Sequence, residues 1–270
     1  MTEPNPTKGK QRRAGILNVL KQNGRISVQE IVARFQCSEA TARRDLDLLE
    51  QTEPIVRTIG GALFDGYSSA RETSFSERKN VSWIEKEAIA AKAASLITEG
   101  DIIGLSGGTT TYLIAKQLKA RRGITVVTNA VNIAMELADN DDIQVLVTGG
   151  MMRNKSFELC GPLAERMVEH LNIGKMFIGI DGITASLGLS TFSESEAQIA
   201  KVLIKRSEHT YAVFDHSKLG KGSLFSIAPL SSLHACITDE LTDDAIREEL
   251  DRLHVQIYLT QSEEKERERS

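Results

Sequence analysis

Short apolar runs rich in β-branched residues recur through the later part of the chain, at 102–105, 124–128, 143–148, 176–180, 210–214, 234–238 and 255–259. Amphipathic stretches separate most of these runs, at 109–120, 131–138, 162–171, 194–206 and 242–253. Buried strands that alternate with helices predict a mostly parallel sheet covered by helices on both faces, which is the α/β class. Ligands of such sheets bind beyond the carboxyl ends of the strands.

The chain of 270 residues is long enough for two domains. Residues 1–60 hold ten Lys and Arg against seven Asp and Glu, whereas residues 61–270 hold 23 against 30. A basic head on an acidic body indicates that only the head meets a polyanion. We expect the following organisation: a flexible arm at 1–11, a basic domain at 12–64, a polar linker at 65–83, an acidic α/β domain at 84–260, and a charged tail at 261–270.

The composition excludes several other classes of protein. Cys37, Cys160 and Cys236 are far apart and form no CxxC pair, and the histidines lack metal-ligand spacing, so we expect no metal and no cofactor. The first residues lack an apolar segment, and no run of about 18 apolar residues occurs. A cytoplasmic protein without a membrane span is therefore expected.

The head has the pattern of three short helices. Apolar Ile16, Leu17 and Leu20 recur at helical spacing between residues 12 and 22. A second helix is predicted from Ser27, which can form a capping box with Glu30, to about residue 35. A short turn and a third helix follow, so the pattern is typical of a helix-turn-helix.

The third helix presents a polar, basic face. Ser38 can cap it, and its apolar stripe consists of Ala42, Leu46 and Leu49. Thr41 and Arg43 flank that stripe and Arg44 lies nearly opposite, so all three can project outward. Such a helix fits the major groove, where one arginine can pair with guanine and the other with phosphate. The alternative is that both arginines pair with Glu39, Asp45 or Asp47 on a solvated face.

The stretch "IVRTIGGALF" at 55–64 alternates like a strand and turns at Gly60 and Gly61. A winged helix-turn-helix would use this hairpin to bring Arg57 to the DNA backbone or the minor groove. One such domain contacts few base pairs, so a homo-oligomer, either a dimer or a tetramer, is expected to bind double-stranded operator DNA.

The loop after the first apolar run has the composition of an anion site. In "IIGLSGGTTTYLIAKQL", Gly107 and Gly108 allow the backbone to turn, and Thr109, Thr110 and Thr111 begin a helix whose amino terminus favours a phosphate. For this loop alone, a tight turn with a helix cap is the simpler interpretation. Four further strand-end loops carry small, amide, hydroxyl or charged groups, and five such loops on one edge predict a pocket.

The pocket is expected to bind a polyhydroxy compound with a phosphate. The candidate contacts are Ser106, Gly107, Gly108, Thr109, Thr110, Thr111, Asn129, Gly149, Gly150, Arg153, Asp181, Gly182, Glu196, Asp215 and Lys218. Among them, Arg153 and Lys218 can supply the charge opposite to a phosphate.

These motifs resemble those of the DeoR family of bacterial transcriptional regulators. Its amino-terminal signature, which ends in a "T-x-R-R-D-L" block, resembles Arg12, Ile16, Leu20 and Ser38 followed by Thr41, Arg43, Arg44, Asp45 and Leu46, and "RTIGGA" resembles its "R-x-H-G-G-A" wing. In the body, "GTT", "VVTN", "TGG-x-x-R", "G-x-D-G" and "D-x-S-K" occur in family order, with Ser106 where aspartate is common. The resemblance implies a winged helix-turn-helix repressor with a sensor domain similar to ribose-5-phosphate isomerase that binds a phosphorylated sugar.

A sugar-phosphate isomerase is the alternative function. Isomerisation needs a carboxylate base with supporting acids beside the bound sugar. The isomerase resemblance places acids at "D-G-A-D-E", whereas this chain has "DGITA", which retains only Asp181. Glu194 or Glu196 would then be the base, although a carboxylate there also suits a helix start or a ligand contact. The expectation is therefore a regulator and not an enzyme.

Overall fold

The computed structural model describes residues 8–23, 25–53, 55–58, 60–64, 73–79 and 81–260. The chain divides into two compact units, Met1–Arg71 and Glu72–Ser270. Among the described residues, no helix combines the length and the apolar character that crossing a bilayer requires.

The described residues of the first unit form three helices and three short strands, in the order α1 (Lys8–Asn23), β1 (Arg25–Ser27), α2 (Val28–Phe35), α3 (Glu39–Thr52), β2 (Ile55–Thr58) and β3 (Gly61–Phe64). The strands form an antiparallel sheet in the order β1-β3-β2. The predicted apolar stripes of α1 and α3 form the core: Ile16, Leu20, Ala42, Leu46 and Leu49 are buried. This unit is the winged helix-turn-helix that was expected.

Two details of the first unit differ from the prediction. Helix α1 begins at Lys8, so residues 8–11 are helical and not part of a flexible arm. The hydrophobic pattern starts only at Ile16, because the first turns of α1 carry polar residues. Strand β1 was not predicted, since three residues give no periodic signal. Its pairing requires glycine at position 61, where a Cβ atom would lie 2.1 Å from the carbonyl oxygen of Ile26.

The second unit is built on seven parallel strands: β4 (Ile102–Leu105), β5 (Ile124–Thr128), β6 (Ile143–Val147), β9 (Ile173–Gly179), β12 (Ser207–Val213), β14 (Ala235–Thr238) and β15 (Gln256–Leu259). They correspond to the seven predicted runs. Their order is β15-β14-β12-β9-β4-β5-β6. The chain adds β5 and β6 on one side of β4 and the later strands on the other, so the topology switches between β4 and β9.

Helices cover both faces of this sheet: α5 (Trp83–Ser95), α6 (Thr109–Leu118), α7 (Val131–Leu137), α8 (Pro162–Val168), α9 (Glu194–Lys205) and α10 (Asp244–Arg252). Alternate residues of one strand enter different cores. Phe177 packs with residues of α5, α6 and α7, whereas Met176 and Ile178 pack with residues of α8, α9 and α10. Both faces are therefore apolar, as the continuous hydrophobic runs predicted.

Five short strands of the second unit were not predicted: β7 (Met151–Arg153), β8 (Glu158–Cys160), β10 (Gly182–Thr184), β11 (Gly188–Thr191) and β13 (Phe225–Ala228). Strands β7 and β8 form an antiparallel hairpin, and the other three form a sheet in the order β10-β11-β13. Each has only three or four residues, which is too few for a period-two pattern to stand out.

Part of the predicted linker, 65–83, packs with the second unit. Residues 65–72 and 80 lie outside the described residues. The remainder contains helix α4 (Phe75–Lys79), and Trp83 is the first residue of α5. The buried ring of Phe75 makes edge contacts with Tyr112 and Phe157, with centroid distances of 5.5 and 5.6 Å. Phe75 anchors helix α4, and one buried aromatic residue among polar neighbours gives no hydrophobic periodicity.

Candidate DNA-binding surface and ligand cavity

In the first unit, side-chain caps fix the starts of α2 and α3. Ser27 and Glu30 form the predicted capping box. The Ser38 hydroxyl accepts a hydrogen bond from the Thr41 backbone N–H at 3.2 Å, and the two hydroxyl oxygens lie 2.9 Å apart. Ser38 and Thr41 therefore define the amino-terminal end of α3, where a helix in the major groove meets phosphates and base edges.

Arg43 and Arg44 lie on the exposed side of α3. Arg43 has a distant ion pair with Glu39, 3.8 Å, and its side chain remains 51% exposed. Arg44 makes no salt bridge with any described residue. Two exposed guanidinium groups on one helix face leave their donors available to a ligand with acceptor groups.

Asp45, the next residue of α3, points into the protein. Its carboxylate accepts hydrogen bonds from Arg12 Nε at 2.5 Å and Arg13 Nη1 at 3.2 Å, and its side chain is buried. The ion pair with Asp45 also raises the pKa of Arg12. Asp45 thus connects α3 to α1 and is not the partner of Arg43 or Arg44.

Arg57 is held within the wing. Its Nε donates to Asp47 Oδ1 at 3.0 Å, and its Nη1 donates to the carbonyl oxygen of Gly61 at 2.8 Å. The side chain is 21% exposed. Asp47 is therefore paired with Arg57, and not with Arg43 or Arg44, and the guanidinium of Arg57 joins α3 to the hairpin. A DNA contact by Arg57 stays a prediction.

In the second unit, a cavity lies at the carboxyl ends of β4, β9 and β12. Its lining consists of Arg78, Lys86, Ser106, Gly107, Gly108, Thr109, Thr110, Glu158, Ile178, Gly179, Ile180, Asp181, Thr191, Glu196, Ala200, Val213, Phe214, Asp215, Lys218 and Ile227. The loop after β4 and the loop after β9 meet here, at the point where the strand order switches. Open parallel sheets bind ligands at this position.

The glycine loop forms one wall of the cavity. Gly108 precedes α6 with φ 133°, and it provides no side-chain cap for the backbone N–H groups of the first helical turn. The Ser106 hydroxyl donates to the carbonyl oxygen of Gly107 at 3.1 Å and accepts from the Gly179 N–H at 3.0 Å, which fixes the loop against β9. An uncapped helix start with a positive dipole end is a suitable anion site.

Two ion pairs connect α4 and α5 to the cavity. Arg78 Nη1 lies 3.0 Å from Asp181 Oδ1, and Lys86 Nζ lies 3.7 Å from Asp215 Oδ2. Burial lowers the pKa of Lys86. Burial opposes ionisation of Asp181 and Asp215, yet nearby cations, including Lys218, outweigh it and lower the pKa of both carboxyls. Both carboxylates are therefore charged near neutral pH.

Two more acids, Glu196 and Glu158, line the cavity. Glu196 Oε1 accepts from Arg153 Nε at 3.1 Å, and its Oε2 lies 3.3 Å from the Thr191 hydroxyl. Glu158, which is only 7% exposed, accepts a hydrogen bond from Asn129 Nδ2 at 2.9 Å. Burial, aided by the negative charge of Glu196, raises the pKa of Glu158 to about 8. Glu158 is therefore mostly protonated at neutral pH.

Polar atoms without partners remain in this site. Within the described residues, Arg78 Nε and Asp215 Oδ2 are buried and have no hydrogen-bond partner, although Asp215 Oδ2 lies 3.7 Å from Lys86 Nζ. Lys218, in the turn after β12, makes no salt bridge with a described residue. Buried polar groups normally have partners, so these atoms indicate a site that a polar ligand can complete.

The cavity contains nine of the predicted contacts: Ser106, Gly107, Gly108, Thr109, Thr110, Asp181, Glu196, Asp215 and Lys218. Six others do not line it: Thr111, Asn129, Gly149, Gly150, Arg153 and Gly182. Thr111 donates to the Gly108 carbonyl oxygen at 3.1 Å, and Asn129 supports Glu158 from behind.

The remaining four have structural positions of their own. Gly149 and Gly150 form the turn before β7 with positive φ, Arg153 pairs with Glu196, and Gly182 begins β10 close to the backbone of Lys221. Their prediction as direct contacts relied on sequence position after a strand, which does not specify side-chain direction.

Sequence reasoning missed four polar residues of the cavity: Arg78, Lys86, Glu158 and Thr191. A signal existed only for Lys86, because it precedes Ile89, Ala90 and Ala93 on the buried stripe of α5. A lysine on an apolar stripe requires a buried partner. The other three lie on short elements that the sequence pattern did not reveal.

Comparison with known proteins agrees with this arrangement. Residues 12–66 match the DeoR-like helix-turn-helix domain, and residues 82–240 match the DeoR C terminal sensor domain. A DNA-binding domain followed by a sensor domain defines a transcriptional regulator, and the alternative of an isomerase is not supported. The chain belongs to the DeoR family of transcriptional regulators.

Two relatives align along nearly their whole length. The HTH-type transcriptional repressor GlcR of Bacillus subtilis (strain 168) is 34% identical over 254 residues, 94% of this chain and 97% of the relative. The glycerol-3-phosphate regulon repressor of Escherichia coli (strain K12) is 31% identical over 249 residues, 92% and 98% of the two chains. Ribose 5-phosphate isomerase A from Methanocaldococcus jannaschii, a solved structure, is 19% identical, with a TM-score of 0.38 over 50% of this chain and 54% of that chain.

Proposed function

We propose that this regulator is a repressor of a sugar-utilisation operon and that a phosphorylated sugar controls its binding to operator DNA. The observation that carries the proposal is the cavity, where an uncapped helix start, Lys218 and several buried carboxylates converge at the switch point of the sheet. The name of one relative, the glycerol-3-phosphate regulon repressor, also contains a small phosphorylated polyhydroxy compound.

The phosphate would bind at the start of α6. The backbone N–H groups of Thr109, Thr110 and Thr111 have the direction and partial charge that an anion requires. Lys218 supplies a positive charge, and no described carboxylate lies within salt-bridge distance of it. Asp181, Asp215 and Glu196 supply acceptors for hydroxyl groups of the sugar, because carboxylates accept hydrogen bonds at both oxygens.

The operator would be double-stranded DNA read by α3 in the major groove. Arg44 is the better candidate for a guanine contact, since Arg43 is partly engaged by Glu39. Ser38 and Thr41 would meet the phosphate backbone at the helix start. Arg57 would position the wing, because its guanidinium already connects Asp47 with Gly61. DNA lies in the cytoplasm of a prokaryotic cell, so we also infer a cytoplasmic location.

A homo-oligomer, dimeric or tetrameric, would present two recognition helices to a symmetric operator. An exposed apolar group in the second unit supports this assembly. Met151 and Met152 of the β7–β8 hairpin and Leu163 and Met167 of α8 are all exposed, and α8 packs beside the hairpin through Ala164 and Gly150. Light scattering that gives a monomeric mass at micromolar concentration, together with full operator affinity, would contradict this assembly.

The proposed ligand class is tested by a thermal-shift screen followed by operator binding. The screen contains fructose 1-phosphate, glucose 6-phosphate, glycerol 3-phosphate, the free sugars and inorganic phosphate. A ligand at about 100 times its dissociation constant stabilises the protein by about 2.7 kcal/mol. We expect a phosphorylated sugar, and not its free sugar, to raise the melting temperature and to change operator affinity. Stabilisation by free sugars alone would refute the phosphate site.

A further inference from the structure

Glu158 lies directly against the glycine loop. A Cβ atom built on Gly107 would be 2.1 Å from Glu158 Cγ and 2.3 Å from Glu158 Oε1. Gly107, unlike Gly108, does not have a left-handed φ, so its backbone conformation is open to any residue. The glycine at position 107 is therefore required for space, and the group that occupies this space is the carboxyl of Glu158.

Glu158 differs from the other acids of the cavity in its partners. Arg78 pairs with Asp181, Lys86 with Asp215, and Arg153 with Glu196. Among the described residues, Glu158 has no basic partner within salt-bridge distance, and its only side-chain hydrogen bond comes from the Asn129 amide. A buried carboxylate without a cation is costly, whereas a protonated carboxyl has an O–H donor to offer.

The position of this donor makes it relevant to the ligand. The Glu158 carboxyl borders the same loop that leads into α6, so an anion held there would lie near it. An ionised Glu158 would repel the anion, and a protonated Glu158 would donate a hydrogen bond to it. We propose, on the basis of the function proposed above, that Glu158 contacts the phosphorylated ligand as a protonated hydrogen-bond donor, so that the ligand binds together with one proton.

The charged and titratable groups near Glu158 lie on α9, on α4, on the loop after β9 and on the β7–β8 hairpin itself. Glu196 of α9 and Asp181 after β9 oppose its ionisation, whereas Arg78 of α4 favours it. Within the hairpin, Arg153 is the register partner of Glu158 but pairs with Glu196, and burial raises the pKa of the Cys160 thiol to about 12. Arg78 is paired with Asp181 and Arg153 with Glu196, so neither forms a salt bridge with Glu158.

The sign of the pH dependence follows from the raised pKa of Glu158, about 8 in the ligand-free protein. At about pH 7 the carboxyl already carries its proton, and binding takes up almost none. At about pH 9 the free protein has lost the proton, so binding must take one up from the buffer. Ligand affinity should therefore fall about tenfold between these two pH values because of Glu158 alone.

The test measures binding of fructose 1-phosphate, glucose 6-phosphate, glycerol 3-phosphate and inorganic phosphate by calorimetry at about pH 7 and about pH 9. Buffers with different ionisation enthalpies report proton uptake. The full chain is used as wild type, Glu158→Gln and Glu158→Ala, with Glu169→Gln, an exposed acid after α8, as the matched control. Ligand-free melting curves establish that each variant is folded.

We expect the wild type and the control to take up close to one proton on binding at about pH 9. Their affinity should fall from about pH 7 to about pH 9 by about tenfold more than the affinity of Glu158→Gln does. The glutamine amide can donate without titrating, so that variant should bind tightly with no proton uptake from this site. Its residual pH dependence reports other groups, such as Lys86, whose pKa burial lowers. Glu158→Ala should bind at least tenfold more weakly at the lower pH.

Two results would overturn the proposal: a pH profile of Glu158→Gln identical to that of the wild type, or wild-type affinity of Glu158→Ala. If Glu158→Ala fails to fold, the comparison of wild type with Glu158→Gln decides the question. A wild-type protein that binds none of the four probes would instead refute the proposed ligand class itself. The two failures are therefore distinguishable.

Discussion

The close approach of Gly107 and Glu158 can be tested through stability, without any ligand. Gly107→Ala places a methyl group within 2.1 Å of the buried Glu158 side chain, which must therefore shift. Overpacking of this kind costs about 1 to 3 kcal/mol. Glu158→Ala removes the overlapping atoms together with the 2.9 Å hydrogen bond from Asn129 Nδ2, which keeps only its 3.5 Å contact with the Leu159 carbonyl oxygen, and loss of this bond costs about 1 to 3 kcal/mol.

The two substitutions should therefore be strongly non-additive. In the double variant the new methyl group occupies the space that Glu158 vacated, so its cost should be about 1 to 2 kcal/mol less than the sum of the single costs. Trp83, the single tryptophan of the chain, is the first residue of α5 and reports unfolding of the second unit by fluorescence in urea. Gly149→Ala, at a glycine with no atom near its missing Cβ, is the control and should add simply to Glu158→Ala. Simple additivity of Gly107→Ala and Glu158→Ala would refute the steric argument.

Three further outcomes are expected. Arg44→Ala should weaken specific operator binding by about 1 to 3 kcal/mol and relax specificity at one base pair. If footprinting of the double variant Arg43→Ala with Arg44→Ala gives wild-type affinity, α3 is not the recognition helix. Asp45→Asn should destabilise the first unit by about 2 kcal/mol, because two arginines lose their buried charged partner. An unchanged melting temperature of the first unit would contradict this. Lys218→Ala and Thr110→Val should abolish the response of operator affinity to the best phosphorylated sugar while ligand-free operator binding persists; variants that still respond like wild type would show that the ligand binds elsewhere.

The main strands and helices could be predicted because each has a hydrophobic pattern within its own short stretch of sequence. The seven long strands carry continuous apolar runs, and the helices between them carry a stripe at helical spacing. The same holds for the recognition helix, where Ser38, Thr41 and the Ala42 stripe identify its start and its buried face. Elements without such a pattern were missed: the hairpin of β7 and β8 and the short helix α4 depend on contacts with the large sheet and its helices. Two of the missed cavity residues, Glu158 and Arg78, belong to these elements.

Adjacent residues show where sequence reasoning about charge reaches its limit. Arg43, Arg44 and Asp45 form one charged run, and an exposed ion-pair network was a reasonable interpretation. Helix geometry turns Asp45 toward α1, where Arg12 and Arg13 bind it, and leaves Arg43 and Arg44 on the outer face. The outward direction of Arg43 and Arg44 followed from the apolar stripe. The buried position of Asp45 did not, because its partner lies on a helix more than thirty residues away.

Gly107 and Gly108 of the glycine loop show the same difference between what the local sequence determines and what a distant residue determines. Gly108 has a positive φ that suits glycine, and a turn before a helix predicts such a residue from the local sequence. Gly107 has no such backbone requirement, and its missing side chain leaves room for Glu158, which lies on a hairpin far along the chain. Gly107 therefore depends on a carboxyl group from a distant hairpin, whereas Gly108 depends only on the local turn of the backbone. Because Glu158 forms no salt bridge with a described residue, the space at Gly107 admits a proton donor beside the helix start at which a phosphate is expected to bind.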